Sequence, residues 1–369
     1  MRVNTALPEL SVIVPVLNEA TLLPALFRTL ACQERTSLEL TVSDGGSTDG
    51  TVELARHLGN EAPFPVTVIT GGCGRGRQLN GGAAASRSAT LLFLHADSRF
   101  ADPLALATAL DLLTESMALK GHELIAGRFP LRFDRRDMSP TLAFYYYECK
   151  ARLDRRECTH GDQGFMLRRT FFEEAGPFDE SLPMLAETRF AETVRRKGEW
   201  LLFPAEIFTS ARRFEAEGLY ARQALNAIIM NFAALEWETF FRELPSIYAG
   251  HYQSGRIALA PMLRAISRLI GALPPRRRLH LWYATGAYVR SHAWQIPFFL
   301  DTRRNFRRSL PAGEGKTPLL DLHDRYLYRL TDHLPGRLAA AFLTWLWFRL
   351  TFLYASIKEN DSYDKSALE

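Results

Sequence analysis

The residues that decide the fold read LSVIVPV (10–16), TLLPALFRTLACQ (21–33), LELTVS (38–43), TVELARHLG (51–59) and PVTVIT (65–70). Short β-rich runs alternate with runs of helical spacing, a βαβαβ order. Such alternation predicts a parallel sheet covered by helices, with the continuously apolar run Ser11–Val16 in its buried middle. Ligands of open sheets of this kind bind beyond the carboxyl ends of the strands. The residues that follow each strand are therefore the candidates for chemistry.

Outward from this core, a helix is expected over Gln78–Ser88. It leads to Leu91–Leu94, a buried strand ending in His95-Ala96-Asp97. A helix over Pro103–Leu119, a strand over Ile125–Phe133, a polar loop and a helix from about Leu142 follow. Trp200–Pro204 reads as a short strand, and the α/β part closes near Arg213. Beyond Gly218 the pattern changes to long helical stretches rich in Leu, Phe, Tyr and Trp, broken by Pro245, Pro274-Pro275, Pro297 and the loop Leu310–Pro318. Two domains are expected, 1–217 and a mostly helical 218–369. No internal repeat or low-complexity tract interrupts them.

With 369 residues, 47% hydrophobic and 23% charged, the chain can bury one or two ordinary cores. Its net charge of +4 is too small a bias to argue for nucleic acid as a partner. Arginines nevertheless cluster locally, at 276–278 and at 303, 304, 307 and 308, a pattern that suits anionic lipid headgroups or a solvated helix face. Cys32, Cys73, Cys149 and Cys158 form no CxxC pair, which points to reduced thiols in the cytosol. The apolar run Leu10–Leu17 is too short for a signal-peptide core and runs straight into Asn18 and Glu19, so the N-terminus reads as mature structure. Leu338–Ile357 approaches membrane-spanning length but carries Arg349, Thr344 and Thr351, and reads as an amphipathic or buried helix. Phe342, Trp345, Phe348 and Phe352 within it suit core or lipid contact. The expected location is the cytoplasm, with peripheral attachment at the inner face of the membrane.

Each strand end carries polar groups. Pro15, Asn18 and Glu19 follow the first. The second ends in Asp44-Gly45-Gly46-Ser47-Thr48-Asp49-Gly50-Thr51, where glycines allow a tight turn and Thr48 or Asp49 can cap the next helix. A carboxylate such as Asp44, at the end of a central strand, can accept hydrogen bonds from a nucleobase or ribose. The run GGCGRGRQLNGG (71–82) opens a helix with glycines and two arginines, a combination that receives phosphate oxygens. It lacks the lysine and hydroxyl of a Walker loop, and its glycine spacing fails the dinucleotide fingerprint. His95 and Asp97, two apart on an extended strand, share one face of the carboxyl edge.

In these residues the chain resembles the family 2 glycosyltransferases, and more narrowly a bacterial subgroup with a GRGRQ-N-G run and a FLHAD strand end. The resemblance spans roughly the first 215 residues and rests on four motifs in order. It implies the GT-A nucleotide-diphospho-sugar transferase fold, a Rossmann-like, mostly parallel sheet. It also implies inverting transfer from a UDP- or GDP-linked sugar with Mg²⁺ or Mn²⁺.

Under this resemblance Asp44 contacts the base, with Gly45 standing where many relatives place a second Asp. Pro15 and Glu19 lie near the ribose or backbone contacts, and Arg75, Arg77, Gln78 and Asn80 are donor-site candidates. Asp97 corresponds to the last Asp of the family's Asp-x-Asp and holds the metal. His95 replaces the first, with contact to the ribose, orientation of Asp97 or neither left open. His160-Gly161-Asp162-Gln163 matches the family's Gly-Asp-Gln segment and adds Asp162 and Gln163 to the donor site. Placed by Pro183 and by Arg195–Gly198, the chain reads Ala186-Glu187 where relatives read Glu-Asp. That makes Glu187 the general base for an acceptor hydroxyl. Independently of the resemblance, Glu187 is also suited to favour a helix N-terminus.

The sequence names no particular hydroxyl acceptor, a lipid-linked one being among the candidates. A sugar-1-phosphate nucleotidyltransferase is the alternative enzyme, although its Gly-rich turn follows the first strand directly. A non-catalytic nucleotide-sugar-binding module is the alternative outside catalysis.

Overall fold

Strands buried on both faces occupy the middle of a sheet, and β1 (Leu10–Val16) and β2 (Leu38–Asp44), buried at every residue, do so here. In the computed structural model, which describes residues 7–182, 184–249 and 257–366, the chain forms two units, Met1–Ser210 and Ala211–Glu369. Pro183, which placed Glu187 in the sequence, lies outside the described residues.

In the first unit β1 and β2 are joined by α1 (Leu23–Ala31). α2 (Thr51–Glu61), β3 (Val66–Thr70), α3 (Arg75–Ala85) and β4 (Thr90–Phe93) follow, then β5 (Arg99–Phe100), α4 (Ala105–Lys120), β6 (Ile125–Arg128), β7 (Leu131–Asp134) and α5 (Leu142–Lys150). β8 (Phe165–Arg168), α6 (Arg169–Ala175), α7 (Ala186–Lys197), β9 (Glu199–Leu202) and β10 (Ile207–Ser210) complete it. Seven strands make the main sheet in the order β3-β2-β1-β4-β8-β6-β9. Every neighbouring pair is parallel except the two that β8 makes, with β4 and with β6. This mostly parallel α/β sheet, followed by a helical region, is the expected GT-A architecture.

The register aligns the carboxyl ends of the first strands. Val16 pairs with Asp44, Asp44 with Thr70, and Ile13 with Phe93, so the loops after β1, β2, β3 and β4 leave the same edge. β5, β8 and β10 were not foreseen from the sequence, and the single strand expected over Ile125–Phe133 is two. Ile125–Phe133 splits at Phe129-Pro130 into β6 in the main sheet and β7 in a second sheet of order β5-β10-β7. Pro130 has no N–H to continue the ladder. Its carbonyl receives the Ile207 N–H instead, and the Phe129 N–H goes to the Gln163 carbonyl.

One face of the main sheet packs against α3, α6 and α7 through Ile13, Phe93, Phe165, Leu167, Phe178 and Phe190. Phe178 and Phe190 meet at 4.4 Å between ring centres, and Phe93 meets Phe178 edge-on at 5.0 Å. Because Ala186 and Phe190 belong to this core, it fixes the first turn of α7 relative to the sheet edge.

The second unit is helical: α8 (Arg212–Glu217), α9 (Leu219–Ala234), α10 (Glu238–Ala249), α11 (Leu259–Gly271), α12 (Pro275–Ser291), α13 (Gln295–Arg307), α14 (Pro318–Leu322), α15 (Tyr328–Thr331) and α16 (Leu334–Ser366). Phe240, Leu263 and Ile266 are in its core. The buried Asp301 of α13 accepts the Leu319 and Leu320 N–H groups, at 2.9 Å each, and so caps α14.

Gly127 in β6 lies under the ring of buried Phe203, where an added Cβ would stand 1.8 Å from Cζ. Gly127→Ala is therefore expected to destabilise the protein by about 3 kcal/mol through overpacking. Chemical denaturation of the two forms checks this, a loss under about 1 kcal/mol being contrary to the packing described.

Candidate active site

The loops after β1 and β2 are tied to each other before any ligand is considered. The Ser47 hydroxyl receives the Asn18 N–H at 2.8 Å, and the Asn18 side-chain oxygen receives the Thr48 N–H at 2.9 Å. Asp49 accepts the Ala20 N–H and both the N–H and hydroxyl of Thr51, so it braces the start of α2. Asp44 is 2% exposed, and its carboxylate accepts the Gly46 and Ser47 N–H groups at 2.8 and 3.0 Å, closing its own turn. Glu19 donates its N–H to the Thr51 hydroxyl at 3.0 Å.

Gln78, buried in the first turn of α3, donates to the carbonyls of Val16 at 2.7 Å and Ser43 at 2.9 Å. It thereby clamps the ends of β1 and β2, beside Pro15, which pairs in register with Ser43. A Cβ at Gly45 would come within 3.0 Å of the Gln78 amide, a physical reason for glycine there. Asn80 holds the segment after α6. Its Nδ2 donates to the Phe178 carbonyl and to Glu180, and its Oδ1 accepts the Phe178 N–H, each at 2.9 Å. Arg77 is largely exposed, 3.4 Å from Glu180.

Four other predicted residues converge with Arg75. Arg75 Nε donates to Glu187 Oε2 at 3.0 Å, and His95 Nε2 donates to Glu187 Oε1 at 2.9 Å. The Glu187 side chain is 16% exposed. Burial alone would push its carboxyl up. The charges of Arg75 and His95, with the hydrogen bonds they donate, outweigh that and hold it far below the usual carboxylate range. A Cβ at Gly161 would stand 2.1 Å from Glu187 Oε1, so that glycine clears the space the carboxylate occupies. Ala186, 1% exposed, faces the aromatic core, and its Cβ lies 3.4 Å from where a Gly76 Cβ would be. An acid at 186 would be buried without a partner, which accounts for alanine there.

Asp97 completes the edge. Its Oδ2 accepts the Thr209 hydroxyl at 3.3 Å and the Ser210 N–H at 3.2 Å, both from the end of β10. Asp162 lies close enough to feel His95, Glu187 and Asp97. Its Oδ1 is buried with no hydrogen-bond partner among the described residues. Burial, joined by the charges of Glu187 and Asp97 against the pull of His95, pushes the Asp162 carboxyl up to about 6. Gln163, by contrast, is spent on the backbone: it accepts the His160 N–H at 2.9 Å and donates to the Ala151 carbonyl at 2.7 Å.

The sequence-predicted residues thus divide. Arg75, His95, Asp97, Asp162 and Glu187 form one polar cluster, whereas Gln78, Asn80 and Gln163 have their amides engaged by protein groups. Thr209, Ser210 and Gly161 are the site residues that sequence reasoning missed. β10 gave no periodic signal, and the need for glycine at 161 arises only from Glu187 folding back over it.

Among the described residues no three His, Cys, Asp or Glu side chains gather as a ready-made metal cage. A hard carboxylate oxygen at Asp97 Oδ1 fits Mg²⁺ or Mn²⁺, ions that take most of their remaining ligands from substrate phosphates and water.

Residues 11–176, just under half of the chain, match the model of glycosyl transferase family 2. Together with the mostly parallel sheet, this match supports a glycosyltransferase of GT-A architecture. Solved structures with similarity to the chain include the mannosyltransferase PcManGT from Pyrobaculum calidifontis in complex with GDP-Man and Mn²⁺, at 18% identity and a TM-score of 0.45, covering 96% of this chain and 87% of that one. TarS 1–349 of S. aureus in complex with UDP is 18% identical with a TM-score of 0.45, covering 82% of this chain and 92% of that one. The same protein with UDP-GlcNAc is 16% identical with a TM-score of 0.43, over the same shares. No curated protein matches the chain.

The raised Asp162 carboxyl carries a stability cost. Its folded value of about 6 lies above the ordinary 3.8, so the native state is penalised as pH rises from 3.8 to 6, fully above that. Asp162→Asn is expected to stabilise the protein by up to about 3 kcal/mol above pH 6, and the gain should vanish below pH 4. Thermal melts of both forms across that range check it.

Proposed function

We propose that this glycosyltransferase is metal-dependent and inverting, and that it moves a sugar from a UDP- or GDP-linked donor to an acceptor hydroxyl. In this reading Met1–Ser210 is the catalytic unit and works in the cytoplasm, at the inner face of a membrane. The observation that carries the reading is the ionised Glu187 held between Arg75 and His95 at the sheet edge where Asp97 also projects.

A carboxylate this strongly paired is a weak base, since proton transfer works best with a pKa near the working pH. Arg75 opens α3 immediately after the Gly-rich turn, a position suited to phosphate oxygens. When its guanidinium turns toward a diphosphate, Glu187 loses its strongest neighbour and its proton affinity rises. Donor binding and activation of the base are coupled in this way. His95 keeps Nε2–H on Glu187 Oε1 and aims the other oxygen. The acceptor hydroxyl gives its proton to Glu187 as its oxygen attacks the anomeric carbon, and the sugar–phosphate bond breaks in the same displacement, which inverts that centre. Asp97 would hold a divalent ion, which when bound would supply charge neutralisation for the departing diphosphate. Thr209 and Ser210 hold Asp97 in place for it.

Incubation with UDP- and GDP-sugars plus Mn²⁺ or Mg²⁺, reading nucleoside diphosphate release to water or an acceptor, tests the proposal. Glu187→Gln is expected to slow release by about 10²- to 10⁴-fold while donor-induced thermal stabilisation persists. Asp97→Asn is expected to abolish the metal-dependent release. Release unchanged by both substitutions contradicts the assignment, and sugar-nucleotide synthesis from a sugar phosphate with release of pyrophosphate would mark nucleotidyl transfer instead.

A further inference from the structure

An apolar helix face in a folded protein is normally covered, and that of α16 is not. Between Leu338 and Ile357 the only charged residue is Arg349. Ala341, Phe348, Thr351 and Ala355 fall on one stripe at 100° per residue and are buried. This stripe packs on α12. Gly286 admits the Ala341 backbone, which a Cβ there would approach to 2.4 Å, and Trp282 meets Phe348 edge-on at 5.7 Å.

The opposite side is equally apolar. Leu338, Phe342, Leu343, Leu350, Leu353 and Ile357 are each half or more exposed. The helix is therefore neither buried nor amphipathic, contrary to the expectation from its sequence. Its segment Leu334–Ile357 is long and apolar enough to cross a membrane, yet only 22% of its most apolar window is buried. A helix that is apolar all round belongs in a core or in lipid, and a patch of this size marks an interaction surface.

Two further observations name the partner. Trp345, Trp347 and Tyr354 also lie on the outward side, residue types that favour the headgroup boundary of a bilayer. Arg349, over the Trp345 ring at 6.0 Å, has a stem long enough to bring its charge to that boundary. The second observation is charge. Ala211–Glu369 holds 22 Lys and Arg against 14 Asp and Glu, a net +8, whereas Met1–Ser210 holds 23 against 27, a net −4. The whole positive excess sits in the unit that carries the bare apolar face.

The arginines are also placed at the ends of that face. Contacts 282–348 and 286–341 make α12 and α16 antiparallel, so the exposed Arg276, Arg277 and Arg278 stand level with the C-terminal end of the apolar run. Arg337 bounds the other end, roughly 30 Å away at 1.5 Å per residue.

We propose that the outward face of α16 is a docking surface for an anionic lipid bilayer. One side of the helix rests on α12, the other lies in the acyl-chain boundary, and Arg276 and Arg277 reach the phosphates, whereas Arg278 is held by the Gly271 and Leu273 carbonyls. This deepens the membrane location of the proposed function, on which it rests, and does not depend on the transfer chemistry.

Flotation of the full chain with vesicles of phosphatidylcholine, with and without phosphatidylglycerol, tests the proposal without any nucleotide sugar. The chain is expected to float with the anionic vesicles. Joint Phe342→Asp and Leu350→Asp substitution should weaken partition by about a hundredfold, since both side chains leave acyl contact. Joint Arg276→Ala and Arg277→Ala substitution should weaken it about fivefold per arginine, on anionic vesicles only. All four positions are exposed, so unchanged melting curves are expected and separate a docking defect from a folding defect. Absence of flotation on both vesicle types overturns the proposal, as does flotation indifferent to both sets of substitutions. Lipid-free dimerisation abolished by Phe342→Asp and Leu350→Asp, with no vesicle binding, overturns it in favour of a second copy of the chain.

Discussion

Glu187 is a buried carboxylate, and everything around it is arranged so that it can stay charged. Removing such a group from water costs several kcal/mol unless charge and hydrogen bonds offset the loss. The offset comes from two segments remote in sequence, the start of α3 through Arg75 and the loop after β4 through His95. The third segment, the first turn of α7, is anchored from behind by Ala186 and Phe190 in the aromatic core. The bridge thus locks the Gly-rich turn, the strand end and α7 together. It also explains two small residues beside it, Gly161 for clearance and Ala186 for burial.

Much of the polar sequence that surrounds this bridge is scaffolding. Asp44 closes its own turn, Gln78 clamps two strand ends, Asn80 pins the segment after α6, and Gln163 joins the Ala151 carbonyl to the His160 N–H. Buried polar groups require partners, and loops at a strand edge have many backbone donors and acceptors to supply. A motif residue can therefore shape the donor site through the backbone it holds. Among the described residues, Asp97 Oδ1 and the buried Asp162 Oδ1 are not consumed in this way.

The α/β class was legible because β1, β2 and β4 are short, apolar and separated by helical spacing, a pattern local to each segment. Arg75, His95, Asp97, Asp162 and Glu187 were singled out by motif, but their mutual contacts were not, because pairs separated by about a hundred residues leave no periodic trace. The strand over Ile125–Phe133 hid a change of sheet at Pro130, and β10, which steadies Asp97, had no signal of its own. α16 was misjudged for a different reason. Arg349 and two threonines suggested a polar side, whereas in three dimensions Thr351 falls on the buried stripe and Arg349 stands alone among apolar neighbours. Helical position, more than composition, decides what such a helix faces.

The central claim is that Glu187 is held ionised by its two cationic-side neighbours, and direct titration of its carboxyl tests this most simply. With carbon-13 at the glutamate side-chain carboxyls, the resonance absent from the Glu187→Gln protein identifies the residue. It should remain ionised at acidities where exposed glutamates have already taken up a proton, and should titrate higher once Arg75 is replaced by Gln. A Glu187 resonance that titrates at or above the ordinary 4.5, unmoved by that replacement, would contradict the account.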